Sequence, residues 1–392
     1  MRIRNLLGAG RPRSAAALAT AVATATLVSL ASIGGADAAF TASQRLATPN
    51  DDPSASPGIA DPGVVTDPST ATFVSLSTGG RGQVWTSRNA AGPWVRQTRP
   101  ALASYPGWAK AADPKDQQSI WAPAQIQLTS GPHAGTWVMF FSAVRVNGPT
   151  QKRCIGVAWS SSPTGPFTVQ DDDAPLICPG GSLVQDPVPD APNVREGVID
   201  PTPRLLWVDG SQGLYLSYKT TGKPSSIQLV QLDIATGGTT TVGRSHQLIR
   251  YSGNQENPVI VQRGGSSTSN GTYTLFTSEG NFHSCAYATR WRSSHRLWAW
   301  RDQAGTVLAF DPPARDGATC GTGDADVVPS KDGTTWRILY SGRYRAGRTL
   351  AQARVDNVGD CSHSDCYPFH LYVGELTWRG ATPSVTDLLA AG

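Results

Sequence analysis

Short runs of apolar and β-branched residues recur along the chain, separated by turns rich in Gly, Pro, Asn and Asp. Aromatic and β-branched residues are typical of strands, and the residues that separate the runs are typical of turns. No helical period of useful length occurs. The pattern therefore predicts an all-β fold, with strands at 72–78, 136–144, 155–161, 213–219, 227–233, 272–278, 335–341 and 371–378.

The strand-like runs also repeat as a larger unit. Each unit opens with a short anchor, and successive anchors lie 60, 79, 56 and 65 residues apart. Periods of this size in an all-β chain are typical of propeller blades, each a four-stranded sheet. We therefore expect a five-bladed β-propeller over residues 59–380; a sandwich followed by a second β domain is the alternative, disfavoured because no linker interrupts this region. The anchors are Asp61-Pro62, Trp121-Ala122-Pro123, Asp200-Pro201, Glu256-Asn257-Pro258 and Gly321-Thr322-Gly323-Asp324.

Composition supports the all-β prediction. The 41 Gly and 29 Pro residues make up about 18 % of the 392 residues, against a typical ~12 %. Both residue types break helices, so a helical bundle is excluded. The 12 Trp, 10 Tyr and 9 Phe residues provide enough apolar surface to argue against general disorder.

The first 38 residues have the pattern of a secretory signal peptide. Four arginines at positions 2, 4, 11 and 13 precede an uncharged run over 14–35, and Ala36-Asp37-Ala38 offers small residues for cleavage. The alternative is a transmembrane anchor, since the run is about long enough to span a bilayer. We expect cleavage after Ala38, a secreted extracellular protein and no membrane association afterwards. Residues 39–58 are expected to form a flexible arm and residues 381–392 a C-terminal tail.

Removing the leader makes the chain nearly neutral. The whole sequence carries 33 basic and 29 acidic residues; without the leader's four Arg and Asp37, 29 basic and 28 acidic residues remain. A nucleic-acid-binding protein needs a concentrated basic surface, so we expect no nucleic-acid partner. We expect a monomer.

All six cysteines follow the leader, which suggests disulfides in an exported protein. Six cysteines allow fifteen pairings; proximity in the sequence favours 154–178, 285–320 and 361–366. A zinc site is disfavoured because the spacings do not match zinc-binding motifs.

Three of the anchors open with a carboxylate: Asp61, Asp200 and Glu256. The first strands of propeller blades line the central axis, so these side chains are expected to meet in one funnel. Glycoside hydrolysis needs such a set: one carboxylic acid protonates the leaving oxygen and one carboxylate activates water or attacks carbon. A third carboxylate can raise the pKa of the acid through like-charge repulsion.

The motifs around these residues resemble glycoside hydrolase family 43, the five-bladed propeller enzymes acting on arabinose- and xylose-containing polysaccharides. The resemblance covers roughly residues 59–380. Its motifs are 199-IDPTPRLLWVDGSQGLYLSYK-219, 121-WAPAQI-126, 155-IGVAWSSSPTGPF-167, 256-ENPVIV-261 and 60-ADPGVV-65. Their order and spacing together are more specific than any one motif.

The resemblance implies a role for each carboxylate. Asp61 would be the general base, Asp200 would tune the pKa of the acid and orient it, and Glu256 would be the general acid of an inverting mechanism. Inversion requires carboxyl groups ~6.5–9.5 Å apart. Trp121 would offer an apolar face to a sugar ring.

The last predicted blade departs from the family pattern. The family often has Gly-x-Gly-His here, with a His that approaches a metal or water, whereas this sequence has Asp324 in the His position. No metal site and no required cofactor are therefore expected, although an Asp could still bind a central cation or hydrogen-bond water. Asp324 is kept as a candidate substrate-binding residue, together with Trp121 and Arg343. The family's following Tyr-His is replaced by 340-YSGRYR-345, where Arg343 or Arg345 could reach a sugar hydroxyl.

Other carboxylates compete for the assigned roles. Asp67 is the rival of Asp61, but it lies where the family has a turn; Glu196 and Glu279 are rivals of Glu256 and are expected in loops. The expected function is a secreted glycosidase that cleaves α-L-arabinofuranosyl or β-D-xylosyl linkages in plant polysaccharides such as arabinan and arabinoxylan. The alternatives are a noncatalytic carbohydrate-binding propeller, a family 62 arabinofuranosidase and a fructan hydrolase.

Overall fold

The computed structural model describes most of the chain after residue 58. The described residues are 59–109, 119–146, 152–179, 197–222, 224–250, 252–282, 287–310, 317–330, 335–346 and 369–388. The chain divides after Ala39, and every described residue lies in the second part. The predicted signal peptide and the arm at 39–58 lie outside the described residues.

The described chain is built from strands with one short 3₁₀ helix, Ile234–Thr236. The first eight strands are β1 (Gly63–Asp67), β2 (Thr72–Ser77), β3 (Gln83–Ser87), β4 (Val95–Arg96), β5 (Trp121–Gln127), β6 (Trp137–Val144), β7 (Arg153–Ser160) and β8 (Thr168–Val169). The next eight are β9 (Val198–Val208), β10 (Ser211–Thr220), β11 (Ser226–Leu232), β12 (Thr241–Arg250), β13 (Gln255–Arg263), β14 (Thr272–Glu279), β15 (Ala288–Ser294) and β16 (Thr306–Val307). The last five are β17 (Ala309–Phe310), β18 (Gly317–Pro329), β19 (Trp336–Ala346), β20 (Phe369–Arg379) and β21 (Thr382–Leu388).

The all-β prediction is confirmed, and all eight predicted strand runs coincide with strands. The C-terminal boundary was wrong. Residues 382–388, predicted as part of a tail, form β21, which pairs antiparallel with β20. The apolar side chain of Val385 is fully buried in the core, which explains why the sheet continues past residue 380.

Consecutive antiparallel strands form five groups. Three are separate four-stranded sheets, β1–β4, β5–β8 and β9–β12. The fourth group, β13–β16, and the fifth, β18–β21, are joined by one parallel pair between Ala288 and Thr322. The short β17 adds to the fifth group through a parallel pairing with β21.

Each of five apolar clusters fills the space between two of these groups. They join the first group to the second, the second to the third, the third to the fourth, the fourth to the fifth and the fifth back to the first. Leu339 and Val373 of the fifth group, for example, pack with Phe73 and Trp85 of the first. This cyclic order is what a five-bladed propeller requires, and it supports the predicted count.

The same irregularity occurs in the first strand of each group, at or near its start in four groups and in the middle of β18 in the fifth. Two residues there oppose one residue of the neighbouring strand, and the first of the two has a positive φ. Such bulges bend a strand and re-aim a side chain. A proline follows in four of the five cases. Proline has no N–H to donate to a neighbouring strand, but no hydrogen bond is lost at a bulge because the extra residue there is unpaired. The five positive-φ residues are Asp61 (52°), Ala122 (42°), Asp200 (57°), Asn257 (49°) and Asp324 (50°).

One predicted disulfide is present. Cys154 and Cys178 are bonded, with Cα atoms 4.5 Å apart. The other two predicted pairs involve residues whose side chains lie outside the described part of the chain. Within the described residues, no helix has the length and apolar character needed to cross a membrane.

Candidate active site

The first strands of all five groups meet at one cavity. Its lining includes Asp61, Ala122, Pro201, Asn257 and Asp326, one residue from each group. The five bulges lie at this centre and place side chains from distant parts of the sequence around it. Asp61, Asp200 and Asp324 occupy equivalent bulge positions, whereas Glu256 lies one residue before its bulge, at the position that Trp121 holds in the second group.

A side chain of the first group holds the Asp61 carboxylate, and charged side chains of other groups influence its pKa. Its carboxylate accepts a hydrogen bond from Thr78 Oγ1, and the same hydroxyl oxygen accepts the Ala122 N–H at 2.9 Å. Burial raises the pKa of Asp61 above its ordinary value, and the Glu256 carboxyl raises it further. The Thr78 hydrogen bond and the charges of Arg153 and Lys219 act in the opposite direction.

Asp200 is buried beside the fourth group. Its Oδ2 accepts the Asn257 N–H at 3.0 Å. Burial raises its pKa to about 7, aided by the Glu256 and Asp61 carboxyls and opposed by Lys219 and by the Asn257 hydrogen bond. Asp200 is therefore protonated in mildly acidic solution.

Glu256 is fixed by two side chains. Lys219 Nζ forms an ion pair with Glu256 Oε2, and both side chains are largely buried. Asn254 Nδ2 donates to the same oxygen at 3.2 Å and to the Gly280 carbonyl at 3.0 Å. Glu256 is thus held at the wall between the third and fourth groups.

Asp324 adds a fourth carboxyl to the centre. Its Oδ1 accepts the Tyr287 hydroxyl at 2.5 Å, and its N–H donates to Ser278 Oγ at 2.7 Å. Burial raises its pKa well above the ordinary value, and the Asp61 and Glu256 carboxyls raise it further. Repulsion between these carboxyls therefore adds to burial in favouring their protonated forms.

Trp121 borders the same region, but one face of its ring is covered. The Arg153 guanidinium lies over the ring, with Cζ 3.3 Å from the centroid, and Arg153 Nη1 donates to the Ser119 carbonyl at 2.9 Å. A sugar could therefore stack only on the opposite face. The side chain of Arg343 lies outside the described part of the chain, although its backbone pairs with Phe369 in the fifth group.

The rival carboxylates are accounted for separately. Asp67 ends β1, and its carboxylate accepts hydrogen bonds from Ser69 and Thr70 in the following turn, as expected for a turn former. Glu279 was expected in a loop; instead it ends β14, buried, with Arg292 at 2.8 Å. The ion pair with Arg292 explains how the Glu279 carboxylate can be buried, and we interpret Glu279 as a structural residue. Glu196 lies outside the described residues.

Several side chains of the site were not predicted from the sequence, notably Thr78, Lys219 and Tyr287. Each reaches the centre from a neighbouring strand or connection, whereas the motifs mark first strands. The one signal for Lys219 is a charged residue ending an otherwise aromatic run, 213-GLYLSYK-219. Nothing local distinguishes Tyr287 from a core tyrosine.

The residues at the centre do not fit a metal ion. Within the described residues, no group of three or more His, Cys, Asp and Glu side chains is placed to hold one. Asp324, which stands where the family often has its His, has its carboxyl engaged by Tyr287.

Comparison of the sequence with models of protein families identifies the family to which the chain belongs. The model of glycosyl hydrolases family 43 matches residues 59–357, well over half of the chain. The chain belongs to glycoside hydrolase family 43. This family 43 protein is therefore a glycosidase, and the first strands that match the family carry its buried carboxyls.

Solved structures agree with the family assignment. A thermostable family-43 glycoside hydrolase matches with TM-score 0.59 and 18 % identity, covering 86 % of this chain and 96 % of its own. The Cellvibrio cellulosa α-L-arabinanase complexed with arabinohexaose matches with TM-score 0.55 and 18 % identity, over 84 % and 95 %. An endo-1,4-β-xylanase from Bacteroides thetaiotaomicron matches with TM-score 0.56 and 16 % identity, over 88 % and 99 %. At these low sequence identities, the matches support the propeller fold of this family 43 enzyme and do not establish its substrate. Curated proteins gave no significant match.

Proposed function

We propose that this family 43 enzyme hydrolyses α-L-arabinofuranosyl or β-D-xylosyl linkages of plant polysaccharides by inversion. The observation that carries the proposal is the meeting of Asp61, Asp200 and Glu256 in one buried site, from three separate sheets. Two of them have raised pKa values, caused first by burial. Burial and like charges thus favour the protonated form of Asp200, the carboxyl that interacts with both the proposed acid and the proposed base.

In the proposed mechanism the three carboxyls divide the proton transfers. Asp61, in its ionised form, takes a proton from the attacking water. Glu256, in its protonated form, donates to the glycosidic oxygen as the bond breaks. Asp200 lies within electrostatic reach of both other carboxyls, and it sets how readily they exchange protons and holds the acid's orientation. Because water attacks directly, the product anomer is inverted.

The proposed substrate class is supported by the activities of enzymes with a similar fold. An α-L-arabinanase, an exo-1,5-α-L-arabinanase and an endo-1,4-β-xylanase share the fold. Pentose-containing polysaccharides are therefore the substrates to test first. The leader-like residues 1–38 support export with cleavage after Ala38. Expression with separate assay of cells and culture medium would test export, and N-terminal sequencing of the protein in the medium would test the cleavage site; protein confined to the cells would contradict export.

The deciding experiment measures hydrolysis of nitrophenyl arabinofuranoside and xyloside, linear arabinan and arabinoxylan. Glu256→Ala should lower kcat by about 10²–10⁴-fold, as expected for loss of a general acid. Glu375→Ala is the matched control, because Glu375 on β20 pairs with Arg337 on β19 at 2.8 Å, away from the first strand of that group; it should keep wild-type turnover. No turnover of any substrate by the wild type would overturn the substrate assignment, and proton NMR showing retention in the first product would overturn inversion.

A further inference from the structure

Lys219 is a buried cation that none of the assigned roles uses. The residue is 5 % exposed, and lysine is almost never buried without a partner. Leaving water is costly for an ammonium group unless a nearby negative charge compensates. Its location therefore requires the carboxyls that surround it.

Backbone geometry directs this side chain towards the site. Around the Asp200 bulge, Ser217 pairs with Thr202 and Lys219 pairs with Ile199. On the same face of β10, Ser217 Oγ donates to the Pro258 carbonyl at 2.9 Å, and Lys219 reaches Glu256. Two residues spaced by two on β10 thus contact two residues spaced by two on β13, and Lys219 joins the sheets that carry Asp200 and Glu256.

We propose that Lys219 is a positioning residue of the hydrolytic site: its ammonium group holds the Glu256 carboxyl at the funnel wall, and its charge offsets the cluster of carboxyls. This inference rests on the proposed function of Asp61 and Glu256. Lys219 contacts the carboxyl of the general acid and acts on the base through space.

The charges around Lys219 come from every neighbouring group. Glu256 on β13 is its direct partner, and Asp200 on β9 and Asp61 before β1 both have pKa values that its charge lowers. Asp324 on β18 has its pKa raised by the Asp61 carboxyl, and Arg153 on β7 lowers the pKa of Asp61. Removing the charge of Lys219 leaves Arg153 as the cation that lowers the pKa of Asp61, and removes the cation that lowers the pKa of Asp200.

A charge role and a packing role make different predictions for kinetics. Lys219→Met should lower kcat by about 10- to 100-fold, because the acid is no longer held in place. The acid limb of kcat/KM should move to higher pH by about one unit, since losing a nearby positive charge raises the pKa of the base. Lys219→Arg, which keeps the charge, should retain the wild-type limb. An unchanged limb and kcat in Lys219→Met would overturn the proposal.

A matched control removes a buried cation elsewhere. Arg292 pairs with Glu279 at 2.8 Å, and their side chains are 8 % and 3 % exposed, close to the burial of the Lys219 pair. Arg292→Met should reduce stability while leaving the acid limb of kcat/KM unchanged. If Arg292→Met moved the limb equally, the effect would reflect general destabilisation and the proposal would fall.

A second measurement does not depend on activity. The free energy of unfolding of wild type and Lys219→Met is compared from pH 4 to pH 8. If Lys219 offsets the carboxyls, the wild-type advantage grows with pH as they ionise; a constant difference would indicate packing alone and refute the proposal. Should the wild type hydrolyse none of the substrates, the proposed function fails while this comparison still decides the role of Lys219.

Discussion

Replacing Asp200 by Asn isolates the energetic consequence of burying a carboxyl at the centre. Asn has the same shape, and its amide oxygen can still accept the Asn257 N–H that binds Asp200 Oδ2 at 3.0 Å. The side chain at position 200 of the variant cannot ionise. The pH dependence of its stability therefore differs from that of the wild type chiefly by the titration of residue 200.

The magnitude follows from the pKa of Asp200 in the two states. The pKa is 3.8 for the unperturbed side chain and about 7 in the folded protein, where burial is the largest cause. Each pKa unit corresponds to 1.36 kcal/mol, so the difference amounts to about 4 kcal/mol. Because the folded pKa is raised, the associated stability is fully present below pH 3.8 and is lost as the pH rises through about 7.

The assay is urea denaturation of wild type and Asp200→Asn at half-unit steps from pH 4 to pH 8.5, followed by tryptophan fluorescence. The stability of the wild type relative to the variant should fall by about 4 kcal/mol across this range. The neutral amide of the variant also relieves the neighbouring carboxyls, since the Asp200 charge raises the pKa of Asp324 and interacts with that of Asp61; this effect has the same sign. A difference that stays flat within about 1 kcal/mol would refute a buried, protonated Asp200.

Two further predictions concern the supports of the site. Gly323→Ala should destabilise the fold by about 1–3 kcal/mol, because an added Cβ would fall on the Tyr287 ring that holds Asp324; urea denaturation would show it, and an effect no larger than that of Tyr287→Phe would contradict the steric cause. Replacing Cys154 and Cys178 together by Ala should cost about 3 kcal/mol, since the bond closes a loop with a sequence separation of 24. Thermal unfolding with and without reductant checks this, and a reductant-insensitive wild type that melts with the variant would contradict it.

Local pattern was enough to predict the strands and the candidate carboxylates. The run at 136–144 becomes β6, whose residues are all buried, because a continuous apolar segment bounded by turn residues has few alternatives. Asp61, Asp200 and Glu256 could be selected because each opens a repeat with a following proline. Proline is tolerated at a bulge for reasons of local backbone geometry, and local preferences of this kind are visible in sequence.

The partners of those carboxylates could not be predicted in this way. Asp324 and Tyr287 are 37 residues apart, Lys219 and Glu256 also 37, and Asn257 and Asp200 57. No spacing rule links them, because each contact depends on which face of one sheet packs against the next. Trp121 shows the same limit: its motif suggested an open platform, and Arg153 from β7 covers one face.

The sequence by itself determined the all-β class, the repeated anchors and the carboxyl side chains available for catalysis, because strand propensity and turn chemistry act over a few residues. The tertiary structure decided how these carboxyls share charge. Burial raises the pKa of Asp200 to about 7, and Lys219, Arg153 and Tyr287 each adjust the carboxyls from a different sheet or connection. Desolvation and Coulomb interactions depend on the distances between side chains in the folded protein, and packing of the five groups sets those distances.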